Sequence, residues 1–490
     1  MKKSIRIFAA LAVVMLLFVL GGCVTRRPDE DNNGGLPSID NPWWTDTGEI
    51  ARDDTGNIVF DDVSIKLTSV ICGYDQNGFE ALLDQFNKQY KGQITVSHQT
   101  YSQTEIDNFV MQQIQNNTNA PDLVLTHQKT HAYYAANKIN QPMDYAYELA
   151  GIKVEKSDFL PNFADYCDLG YEGRMFTIPV DAQSMVIYYN KNLLKKYNAE
   201  LPQNRAEFLQ LCKTVQSGER AANNSQFNAV TCGADYDFFK MYLLPTAVLQ
   251  NGGELYGSDG RVHWTEGDNF TAFSNGIKAV KQLADDGLWD SNDSNESARA
   301  KFCKDNALFY ISLPFDANAI FGAYASNSGH SVDVVKTQDI GGFSTAGLFA
   351  LDGAPESSKN KIFGDSHAFT MSKTVTDVTK KAAIAVFVNW FTSNVDVGIE
   401  WAKLGHTTAS YTIRGAAAYN ADSYVTEFSN AFYGDINNFV IAGKTPNYTL
   451  IFSDMQTALL NCLRNASNEY DIRTELTNAQ KKINAAIGLA

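Results

Sequence analysis

The sequence predicts an α/β protein of two domains, on three observations. Strand-like and helix-like stretches alternate from Val63 onward, the pattern of a largely parallel sheet covered by helices. More than 400 positions follow that point, and 44% of the chain is apolar, which is material for two separate cores. The third is one stretch, Gly170 to Tyr197. It runs from a two-glycine loop through Pro179 and the apolar residues Met185 to Tyr189, and ends at Asn190 ahead of Leu193, Leu194 and Tyr197. Pro179 removes an amide donor, so a strand begins close to it. Asn190 suits a helix N-cap. Asp181 and Gln183 sit within that strand among residues of buried type. They mark either a central strand with a bend or a strand passing between domains with both polar groups facing the gap.

The N-terminus has Lys2, Lys3 and Arg6 before an unbroken apolar run from Ile7 to Leu20, the layout of a signal peptide over residues 1–22. Leu20-Gly21-Gly22-Cys23 resembles a bacterial lipobox, which implies lipidation of Cys23 and a membrane anchor that does not span the bilayer. Residues 23–62 are dense in Asp, Asn, Gly and Pro without apolar periodicity and read as a flexible tether, with Trp43 and Trp44 packing on the body. Loss of residues 1–22 takes three of the 40 basic residues and none of the 55 acidic ones, deepening the formal charge from −15 to −18. Such a surface repels phosphate backbones and argues against nucleic acid. The six cysteines beyond Cys23 are widely spaced and call for no particular pairing.

Each element follows from its local pattern. Ile65–Ile71 reads as a strand, and Phe79, Leu82, Leu83, Phe86 and Tyr90 fall on one helical face behind it. Gln93–Ser97 is a second strand. Ser102-Gln103-Thr104-Glu105 is a capping-box pattern before a helix carrying Ile106, Val110 and Ile114. Asp122–Thr126 is a third strand, followed by a helix over 131–137. Ligands of parallel α/β sheets sit beyond the carboxyl ends of the strands. The loops to watch are therefore Gly73-Tyr74-Asp75 and His127-Gln128-Lys129. His127 and His131 would face one way if both lay on one helix and could share a zinc ion, but Gln128 cannot act as a metalloprotease base, and no metal or cofactor is expected.

Several segments resemble the sugar-binding lipoproteins of ABC importers, the maltose-binding-like family. They are Ile178-Pro179 with Tyr189-Asn190-Lys191, Pro121 to Lys129, Leu201-Pro202, Gly252-Gly253, Phe302 to Phe315, and Phe363 to Phe369. Gln128 and Lys129 stand where the family has an acid and a base, and Pro314-Phe315 where it has Pro-Trp. The resemblance implies a periplasmic-binding-protein-like fold, two α/β lobes joined by crossing hinge strands. The first lobe would comprise residues 63–181 and 362–412, and the second 182–361 and the C-terminal helices of 413–490. Leu404 to Arg414 would be the third crossing. The implied ligand contacts are Tyr74, Asp75, Gln128, Lys129, Asp181 and Gln183 on the first lobe and hinge, with Tyr236, Phe315 and Asp365 opposite. Aromatic planes suit the C–H faces of a sugar, and polar groups its hydroxyl rim.

The function so implied is a monomeric, lipid-anchored receptor at the outer face of a bacterial cell membrane that takes a carbohydrate and passes it to permease subunits. Catalysis is not expected: Gly342 to Gly347 misses the G-x-S-x-G elbow at Ala346. An anchored glycan hydrolase, or the same fold with a polyamine, peptide or metal ligand, are the rival readings.

Overall fold

The alternation after Val63 folds as its periodicity dictates. In the computed structural model, which describes residues 42–488 apart from 74, 103, 104, 172, 258 and 442–444, the first strands are β1 (Val63–Ser69), β2 (Ile94–Thr100), β3 (Leu123–His127) and β4 (Asn140–Gln141). The signal peptide, Cys23, the first part of the tether, Tyr74 and two positions of the capping-box pattern lie outside the described residues. Helix Gln76–Gln89 buries Phe79, Leu82, Leu83 and Phe86, the stripe its spacing predicts.

The expected long strand is broken into three: β5 (Ile178–Pro179), β6 (Asp181–Ala182) and β7 (Val186–Asn190). The break has a simple cause, because each piece pairs with a different partner. Further along come β8 (Val230–Thr231), β9 (Phe309–Ser312), β10 (Ile340–Phe343), β11 (Ile362–Phe363), β12 (His367–Ser372), β13 (Thr407–Thr408) and β14 (Phe439–Val440). One sheet has the order β2-β1-β3-β12-β4, with β5 also on β12. Its first three strands are parallel, as expected, and β12 returns antiparallel. A second sheet, β10-β7-β9-β8, is antiparallel at β7 and parallel only at β8. Asn190 closes β7 and its side chain accepts from the Leu193 amide, the predicted cap.

Each sheet has its own core. Ile65, Leu123, Phe369, Phe387 and Trp401 centre the first lobe; Ile187, Phe208, Phe309, Ile311, Met455 and Leu459 centre the second. The C-terminal helix Tyr448–Asn465 supplies the last two, and helix Glu469–Ala486 adds Ile472, Leu476 and Ile483 to the same core. Each buried aromatic or branched side chain here contributes about 1.5–3 kcal/mol. Leu160 and Phe163 from the first lobe also cluster with Tyr188, Tyr310 and Phe439, so apolar packing continues beneath the junction.

The chain passes between lobes three times. The first passage is β5 to β7. In the second, β11 pairs with β14, Asp365 exchanges backbone hydrogen bonds with Gln183 at 2.8 Å, and β12 enters the first sheet. In the third, β13 pairs with β6.

The last part of the stretch read as tether is a strap on the first lobe. Trp43 stacks on Phe176, and its Nε1 donates to the Asn140 carbonyl at 2.7 Å. Thr47 bridges to Asp377, and the buried Lys381 pairs with Asp46 at 2.5 Å. Low apolar periodicity hid this, since the strap is held by individual long-range contacts.

Candidate functional site

The carboxyl ends of β1 and β3 and the three passages converge on one point, and the sequence there is rich in charge. Asp75 immediately precedes helix Gln76–Gln89; His127 ends β3, with Gln128 and Lys129 in the turn behind it. Asp181 and Gln183 lie on the first passage, Asp365 and His367 on the second, and His406 on the third.

These side chains form two adjoining ion-pair groups. In one, Asp181 Oδ2 accepts from His367 Nδ1 at 2.9 Å, His406 Nδ1 at 3.0 Å and Trp401 Nε1 at 3.2 Å. Its Oδ1 accepts the His367 amide at 2.8 Å. His406 Nε2 donates to Asp75 at 2.9 Å, and its ring stacks on Trp401 at 3.8 Å. In the other group, Asp365 holds Lys129 at 2.9 Å and His127 at 3.1 Å. The His127 and His367 rings lie 4.9 Å apart and join the groups.

Burial and pairing set the charges. Burial alone would lower His406, but hydrogen bonds and attraction from Asp181 and Asp75 outweigh it and raise its pKa to about 9. Burial would raise both Asp181 and Asp365, yet His367 and His406 for the first, and Lys129 and His127 for the second, hold each well below the usual carboxylate range. Burial, reinforced by Lys129, pushes His127 down to about 4.

Asp181, Gln183, Asp365 and Lys129 come together at the junction, with Asp365 paired to Lys129 and bridged to Gln183 rather than facing them from an opposite wall, and they do not border an open gap. Their exposures are 0%, 2%, 2% and 8%. The lobes meet there: Lys129 reaches the second lobe, with Nζ 3.8 Å from Met241 Sδ and over the rings of Tyr448 and Phe452 at 5.7 and 6.0 Å. Gln128 turns the other way. Its amide donates to the Phe163 carbonyl and Thr177 Oγ1, both at 3.2 Å, inside the first lobe. His127 and His131 do not share a helix face, since the first ends a strand and the second opens a helix.

The opposite wall is aromatic. The Tyr236 hydroxyl donates to Asp316 at 3.2 Å, and Phe238 meets Tyr236 and Phe315 edge-on and stacks on Tyr242. Gly405, at φ +96°, brings the third passage against the backbone of Pro314 and Phe315, closer than any side chain would allow. A separate groove of about 390 Å³ lies between the lobes, lined by Gly78, Gln85 and Leu404 on one side and Asn318, Lys336 and Tyr424 on the other.

Sequence reasoning missed His367, His406, Tyr448 and Phe452 as members of this region. His367 stood in the Phe363 to Phe369 segment and His406 in the expected third crossing, and nothing local ties them to a carboxylate 186 or 225 residues away. Asp181, His367 and His406 also set one oxygen and two ring nitrogens within 4.8 Å of one another, a set able to hold a metal ion.

Curated relatives include the sn-glycerol-3-phosphate-binding periplasmic protein UgpB of Shigella dysenteriae serotype 1, 31% identical over 78 residues, and that of Escherichia coli K12, 30% identical over the same length. Each match takes in 16% of this chain, which spans about 18% of those relatives. Solved structures with the same fold include the sugar-binding protein MalE of Xanthomonas citri, at TM-score 0.66 and 15% identity over 87% of this chain and 98% of that one. The GacH receptor of Streptomyces glaucescens follows at 0.65 and 15%, covering 87% and 99%, and maltose-bound MalE3 of T. maritima at 0.64 and 14%, covering 86% and 99%. The family model of the bacterial extracellular solute-binding proteins matches residues 74–398, and with two lobes, three passages and a polar junction between them, this chain belongs to that family.

Proposed function

We propose that the protein captures a neutral carbohydrate between its lobes and delivers it to the permease of an ABC importer, held at the outer membrane face by lipid on Cys23. The observation that carries the choice of ligand is the charge at the junction. Two cations, Lys129 and His406, face three carboxylates, Asp75, Asp181 and Asp365, and every one is engaged. Counting His367 as charged would bring the sum only to zero. A phosphate ester such as the relatives' glycerol 3-phosphate needs an excess of positive charge that this region lacks. Neutral hydroxyls, by contrast, exchange hydrogen bonds with Lys129 and Asp365 and lie on Tyr236, Phe315, Tyr242 and Tyr448. The GacH, MalE3 and tagatose-bound neighbours, whose ligands are acarbose, maltose and a ketohexose, have this fold.

Capture works by closure. Each passage includes a two-residue strand, β6, β11 or β13, where it can bend, and a ligand touching both walls favours the closed form by its differential affinity. Tyr74, Asp75, Lys129, Asp181 and Gln183 would serve the first wall and hinge, and Tyr236, Phe315 and Asp365 the second, while Gln128 braces the turn from inside the first lobe. Asp181 is bound to the His406 cation and Asp365 to the Lys129 cation rather than poised as an acid and a base, which favours binding without turnover. Calorimetric titration with maltose, maltotriose, glycerol 3-phosphate and spermidine tests the reading. Carbohydrate alone should bind; binding only to the phosphate ester or the polyamine would overturn it.

A further inference from the structure

We infer that the meeting point of the three passages is a binding site for one divalent transition-metal ion of the zinc class, ligated by Asp181, His367 and His406. One carboxylate and two imidazoles form a donor set suited to zinc, cobalt or nickel. The positions fit. His367 Nδ1 and His406 Nδ1 stand 2.9 and 3.0 Å from Asp181 Oδ2. In a tetrahedral site with bonds of about 2.0–2.1 Å, neighbouring ligand atoms are roughly 3.3 Å apart. Each ring nitrogen needs to withdraw from Asp181 by only a few tenths of an ångström, and all three ligand atoms already lie within 4.8 Å of one another.

The groups behind the ligands fit as well. His406 Nε2 donates to Asp75, which fixes the ring orientation and leaves Nδ1 as the donor atom, the carboxylate-histidine arrangement common around bound metals. Asp181 is held in turn by the His367 amide and by Trp401. The Gln183 amide lies against His406 Nδ1 and, with its oxygen turned inward, offers a fourth ligand. The ion takes the place of the protons now lying between the rings and Asp181, and these are released to solvent as it binds. The ligands are 0–4% exposed, so the ion enters when the lobes part. Because each ligand comes from a different passage, one ion ties all three together. None of this depends on which solute the lobes hold.

The test is titration of the chelator-washed full chain with cobalt(II) and zinc(II), by calorimetry and by the visible absorption of cobalt. One ion per chain, with the intense visible bands of four-coordinate cobalt, is expected. His367→Gln should weaken binding more than 100-fold, and Asp75→Asn about 10- to 100-fold, through the lost support of His406. His263→Ala, which removes an exposed histidine flanked by Asp259 and Glu266, should leave binding unchanged. Circular dichroism checks folding. If His367→Gln does not fold, Asp75→Asn and the cobalt spectrum decide. Absence of saturable binding, a weak six-coordinate spectrum, or binding lost in His263→Ala but kept in Asp75→Asn overturns the assignment.

Discussion

His131 is a neutral, unsatisfied imidazole in the core of the first lobe, and removing it should change how the protein responds to acid. The residue opens helix His131–Ala136, is 0% exposed, packs on Tyr134 at 5.6 Å, and among the described residues has no hydrogen-bond partner at either ring nitrogen. Burial pushes its pKa down to about 3, against an ordinary 6.5. Below pH 6.5 the unfolded chain takes up a proton that the folded chain refuses. Stability from this group is therefore complete above 6.5 and falls steadily as the pH drops toward 3. At pH 5 the loss is about 2 kcal/mol, from 1.36 kcal/mol per pKa unit over the interval below 6.5. His131→Leu removes the titration and the two desolvated nitrogens together. Urea unfolding at pH 7, 6 and 5 should show the variant at least as stable as the parent at pH 7, since an unmade buried hydrogen bond costs about 1–3 kcal/mol. The gap should widen by about 2 kcal/mol at pH 5. Parallel curves across that range would refute the argument, because His127 titrates alike in both proteins and cancels.

Three further outcomes are expected. Gly405→Ala puts a Cβ 2.5 Å from the Phe315 Cα at a left-handed residue. The backbone strain alone is about 1–2 kcal/mol, so solute affinity should fall about tenfold or more and the scattering radius should grow. Asp365→Asn leaves Lys129 buried without its counter-charge and should cost about 3–5 kcal/mol in urea unfolding, most of which returns when Lys129→Met is added. Asp46→Ala leaves the fully buried Lys381 short of its carboxylate, and limited proteolysis should then cut within residues 42–61, where the parent is protected.

What could be read in the sequence was what local chemistry encodes. Pro179 and Asn190 announced the first passage because a missing amide and a capping side chain act within a few residues. Helix Gln76–Gln89 announced itself by its stripe. The fragmentation of the passage into β5, β6 and β7 was not legible, because it depends on which strand lies alongside. Asp181 and Gln183 stood out as polar groups in a buried-type strand, but that they pair inward rather than face a gap depends on His406, more than 200 residues away. Gln128 shows the same limit. Its position in the turn follows from the strand before it, whereas the direction of its amide follows from Phe163 and Thr177.

Among the described residues, the hydrogen bonds and ion pairs that leave the strap of residues 42–61 all end on the first lobe, at Asn140, Tyr145, Thr376, Val378, Thr379 and Lys381. A pull on the chain at Trp43 therefore loads that lobe directly, and reaches the second lobe only through the three passages.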